Sequence, residues 1–133
     1  MCSSDLNSRA YASGLRYLDP NQSVSIFNLL RMGARAIELD VHWTSKSEGP
    51  FSYPNRLLLC HGTAGHVGCS LDDRYLSEGI DEISAWFGTA DSIDQVLLLH
   101  IEDHMDGHHG EALAEIQSRI GYLVYGKIGR AHV

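Results

Sequence analysis

Hydrophobic and polar positions repeat along this chain with two periods. Over 35–42 the period is two: Ile37, Leu39 and Val41 alternate with Glu38, Asp40 and His42. Successive side chains on a strand face opposite ways, so this segment predicts a strand with an apolar face and an ionisable one. Residues 56–60 and 95–101 are near-continuous apolar runs, the pattern of strands covered on both faces. Elsewhere the period lengthens. Val24, Ile26, Phe27, Leu29 and Leu30 predict a helix that starts from an Asn21 or Ser23 cap, runs to about Met32 and stops at Gly33. Leu76, Ile80, Ile83 and Phe87 predict a helix over 76–87, and Leu113, Ile116 and Ile120 one over 110–122. Residues 44–55, with Gly49, Pro50 and Pro54, and the Gly-rich stretch 62–70 read as loops. The order helix, strand, strand, helix, strand, helix predicts a parallel sheet built from crossover units, open or closed into a barrel.

The polar face of the first strand carries the candidate chemistry. Two carboxylates and an imidazole on one buried face are costly unless a metal, a substrate or paired groups compensate them. The second strand ends at His61 and the third at Glu102. Three strands that each deliver an acid or an imidazole match the layout of a parallel α/β active site, where chemistry gathers at the C-terminal strand ends. His100 is expected to share the face of Glu102. His104, His108 and His109, with Asp103 and Asp106, read as a solvated loop, and Trp43 and Trp86 as packing residues.

Composition narrows the partners. The 133 residues carry a formal charge of −7, with 44% hydrophobic and 20% charged residues. These are the proportions of a globular protein, and the charge disfavours nucleic acid. No apolar run reaches the roughly 20 residues of a membrane span, so any membrane contact is expected to be peripheral. Residues 1–6 and 128–133 read as non-native tails of translated sequencing-adapter sequence and are set aside. That leaves 7–127 as an internal piece of a larger unit. Cys60 and Cys69 are then an even pair across a short loop, which predicts a disulfide and an exported protein.

Four motifs in order carry a resemblance: Asn7-Ser8, the run Gly33 to Asp40, Cys60-His61-Gly62, and Leu97 to His104. The series resembles the catalytic X region of phosphatidylinositol-specific phospholipase C and, more broadly, the phospholipase-C-like phosphodiesterases. The resemblance implies the first half of a (β/α)8 barrel, with parallel strands and crossover helices, over nearly all of 7–126. It also implies a calcium site built from Asn7, Glu38, Asp40 and Glu102, an all-oxygen donor set that suits a hard cation. Glu38 or Asp40 doubles as base for an inositol hydroxyl, His61 is the acid and base at the leaving oxygen, and His42 is a substrate-contacting position. The implied substrate is a phospholipid or phosphoinositide at a membrane surface.

Two departures keep other readings open. The family places a catalytic His before the Asn, and here Leu6 precedes Asn7. If Leu6 is native, the chain reads as a degenerate, ligand-binding member. Glycerophosphodiester phosphodiesterases also place a Glu-x-Asp pair and a later His at strand ends, but His61 is followed by Gly62 where they have Asp. A half barrel would leave open edges and an apolar face, so the chain is expected to be poorly soluble or to oligomerise.

Overall fold

The computed structural model describes residues 24–45, 53–62, 65–69 and 73–120. Three helices and four strands form there: α1 (Ile26–Arg31), β1 (Ala36–Thr44), β2 (Arg56–Leu59), β3 (Arg74–Tyr75), α2 (Leu76–Phe87), β4 (Leu98–His104) and α3 (His109–Ile120), with a short 3-10 turn at Ala90–Ser92. The helix over 76–87 falls on its predicted bounds. The first helix starts later than expected, because Ser25 caps it and its hydroxyl accepts from the Asn28 amide at 3.2 Å. Gly33 ends that helix at φ 100°, a left-handed conformation that glycine adopts without a steric penalty.

The sheet corrects the expected fold class. Its order is β3-β2-β1-β4. β1 pairs with β4 in parallel, but with β2 antiparallel, and β2 pairs antiparallel with β3. The fold is therefore a small mixed four-stranded sheet with three helices, not the first half of a parallel barrel. The reason lies in the link between the first two strands. A parallel return needs a crossover of a dozen or more residues, usually helical, whereas residues 45–55 are short and broken by Gly49, Pro50 and Pro54. Two strands in succession without a helix between them return as a hairpin.

The alternation along β1 sorts the two faces as its sequence demands. Ile37, Leu39 and Val41 are buried against the helices, in one cluster with Leu57, Leu59, Ile26, Leu30, Ile80, Ile83 and Trp86. Burying one such side chain stabilises by about 1.5–3 kcal/mol, and this shared core sets which way β1 faces. Arg35 lies over the buried Trp86 ring at 4.7 Å and donates to Gln95, which joins the start of β1 to the approach to β4. Cys60 and Cys69 are disulfide-bonded, with Cα atoms 5.3 Å apart. No helix among the described residues is long and apolar enough to cross a membrane.

Candidate functional site

With its apolar face committed to the core, β1 presents Glu38, Asp40 and His42 on the other. The parallel register sets Glu38 beside His100, Asp40 beside Glu102 and His42 beside His104. Partners in a ladder point to the same side, so six ionisable residues form three rungs on one face. Burial is graded across them: Asp40 and His42 are buried, Glu38 is half-buried, and His100 and Glu102 on the outer strand are exposed.

Carboxylate oxygens of Glu38, Asp40 and Glu102 all lie within 4.8 Å of one another. Two oxygens bound to one calcium ion at arms of about 2.4 Å cannot lie more than about 5 Å apart, so the three carboxylates fit one hard cation. The pairing of Asp40 with Glu102 is a consequence of register, and a slip of one residue would send Glu102 to the core face. Asn7 and Leu6 lie outside the described residues.

His61 arrives by a different route from the one expected. β2 runs antiparallel, so its end lies level with the middle of β1, and the Cys60 amide donates to the Asp40 carbonyl at 3.3 Å. His61 follows directly and is exposed. The disulfide then holds the loop that leaves it.

His42 is wholly buried rather than open to a substrate. Its ring stacks on His104 at 4.4 Å, and its Nδ1 lies 3.0 Å from His66 Nδ1. Desolvation, then repulsion from His104 and His66, lowers its pKa to about 4 against the opposing pull of Glu102 and Asp106. His42 is thus neutral near pH 7, a buried imidazole packed between His104 and His66.

Two residues join the site that the sequence reading did not single out for it. His104 hydrogen-bonds the Glu102 carboxylate at 2.9 Å and so orients a candidate metal ligand. His66 pairs with Asp106 at 3.1 Å, linking the disulfide loop to the turn after β4. Both His66 and Asp106 have positive φ, 59° and 49°. The period-two pattern extended through His104 was the available signal for the first, whereas no periodicity marks a residue in a Gly-rich loop. The expected solvated loop is only in part a loop, because Asp103 and His104 lie on β4 and α3 begins at His109. His109 pairs with Asp103 at 2.6 Å, and His108 pairs with Glu111 at 3.0 Å and stacks on Trp43 at 3.9 Å. The Met105 amide and then His109 hold the Asp103 carboxyl below the usual carboxylate range.

No family model matches the chain, and no solved structure matches it. Two proteins of Mycobacterium tuberculosis do: uncharacterized protein MT2135 of strain CDC 1551 / Oshkosh and uncharacterized protein Rv2075c of strain ATCC 25618 / H37Rv. Each is 28% identical over 102 residues, a match that covers 74% of the chain and 20% of the relative. The chain therefore spans about a fifth of the length of these relatives.

Proposed function

We propose that this chain carries part of the active site of a metal-assisted phosphoric diester hydrolase acting on a phospholipid head group, in the manner of the phosphatidylinositol-specific phospholipases C. The observation that carries the reading is the triad of Glu38, Asp40 and Glu102, whose oxygens converge within 4.8 Å on the face opposite the core. Glu38, Asp40 and Glu102 would hold calcium, with Asn7 as a fourth ligand position. When bound, calcium supplies positive charge at a phosphoryl oxygen and acidifies a coordinated hydroxyl.

The chain's own groups do the rest. One carboxylate of the β1 pair takes the proton of the inositol 2-hydroxyl as that oxygen attacks phosphorus. His61 gives a proton to the departing diacylglycerol oxygen, then receives one from the water that opens the cyclic phosphate. His104 keeps the Glu102 carboxylate oriented. The shared register of β1 and β4, which sets Asp40 beside Glu102, supports this reading of the three carboxylates. The disulfide agrees with an exported enzyme that meets its lipid outside the cell.

The test has two arms. Calcium binding to the chain is measured by calorimetry with Asp40→Asn and Glu102→Gln as comparisons. Binding to the parent chain that falls about tenfold or more in both variants supports the site, and its absence in the parent chain sinks the metal reading. Phosphatidylinositol vesicles are then assayed for inositol phosphate release with calcium and with chelator. Release that needs calcium and disappears in His61→Ala supports the reaction. Release that persists in chelator, or in His61→Ala, overturns it.

A further inference from the structure

A second group of donor atoms lies beside the carboxylates and differs from them in kind. The Sγ atoms of Cys60 and Cys69 and a ring nitrogen of His42 lie within 4.8 Å of one another. His42 Nδ1 faces His66, and the buried Nε2 has no hydrogen-bond partner among the described residues. Leaving a buried polar atom unsatisfied costs about 1–3 kcal/mol, and such an atom calls for an occupant. The backbone also closes here without a side chain in the way. A Cβ at Gly62 would come to 3.3 Å from His42 Cε1 and 3.4 Å from Cys69 Sγ.

We propose that reduction of the Cys60–Cys69 disulfide converts this pocket into a zinc site, with the thiolates of Cys60 and Cys69 and the imidazole of His42 as ligands and a fourth position open to water. Thiolates and imidazole select zinc, whereas the neighbouring carboxylates select a hard cation, so the two sites do not compete for one metal. Tetrahedral zinc with arms of about 2.3 Å places two thiolates about 3.8 Å apart. The Cα separation of 5.3 Å allows that by side-chain rotation. The His42–His66–Asp106 chain supplies what zinc-bound imidazoles commonly have, a partner on the other nitrogen that sets tautomer and tilt.

The steps balance. An external dithiol gives two electrons and two protons to the S–S bond and leaves as its own disulfide. Zinc then displaces the two thiol protons, and two thiolates cancel its charge in the buried pocket. The loop after His61 is thus tethered in both redox states, by a covalent bond when oxidised and by metal when reduced. The inference is independent of the diesterase reading, since it uses none of Glu38, Asp40 and Glu102.

Cobalt(II) is the probe, because thiolate ligation produces a sulfur-to-cobalt charge-transfer band that oxygen ligands cannot. The full chain carrying Cys2→Ser is titrated without air, both oxidised and after reduction with a dithiol that is then removed by desalting. The expected result is the band at one equivalent in the reduced chain only, its loss on adding zinc, and affinity lowered roughly tenfold or more in His42→Gln. Zinc should also shield Cys60 and Cys69 of the reduced chain from alkylation, a readout that needs no variant to fold. A reduced chain without the band, unshielded thiols, or a folded His42→Gln chain with unchanged affinity would overturn the proposal.

Discussion

Gly68 shows how one backbone position can govern the site. Its φ is +117°, and a Cβ there would lie 2.6 Å from the His61 carbonyl oxygen, a backbone atom that cannot step aside. Gly68→Ala is expected to destabilise by about 2 kcal/mol or more, while Gly65→Ala, with nothing within 4 Å, changes stability by less than about 0.5 kcal/mol. Urea unfolding of the two variants separates them. His42 gives the second prediction at this scale. Its native pKa is about 4 against 6.5 for the free side chain, so the unfolded chain binds this proton first as pH falls. Stability is full above about pH 6.5 and declines towards pH 4, by about 3 kcal/mol over the whole window. His42→Gln should flatten that slope when unfolding is followed across the window in chelator, and an unchanged slope would refute the assignment.

Glu82 does at the level of elements what Gly68 does for a loop. From α2 its carboxylate accepts the Phe27 amide of α1 at 2.8 Å and pairs with Arg74 of β3. One side chain thus joins three elements around the core. Glu82→Ala leaves polar groups behind in a half-buried place and is expected to cost about 2 kcal/mol, whereas Glu82→Gln keeps the acceptor and costs less. Equal losses in the two variants, read by thermal or urea unfolding, would show that the amide bond contributes nothing. At this same scale the period of two along β1 and of 3.6 along α2 were legible, because each reflects an element with one face committed to a core. The direction of β2 was read wrongly. An apolar run has no arrow, and the decisive clue was the brevity of 45–55 rather than the pattern of the strands.

Across the whole molecule, apolar side chains gather near the start of the β1–β4 pair. Met32 is 76% and Leu98 65% exposed, with Ile93 and Val96 also exposed, and β4 ends the sheet order among the described residues. A strand edge beside an apolar patch invites association. The chain is expected to self-associate with rising concentration in sedimentation velocity, and Val96→Lys with Leu98→Lys to shift it towards monomer. A parent chain that sediments as one monomeric species at all concentrations would count against this.

The sequence alone determined which residues share a face of β1, where the helices over 76–87 and near the chain's end lie, and that Cys60 and Cys69 pair. Those are local matters, set by side-chain alternation, helical spacing and a short loop. Only the tertiary structure decided what stands opposite that face. The pairing of Asp40 with Glu102 depends on a register between segments sixty residues apart, and the place of His61 on an antiparallel turn-back. The burial of His42 under His104 and His66 depends on three separate segments converging. None of these leaves a mark in local pattern, because contacts between distant segments are set by how the whole core packs.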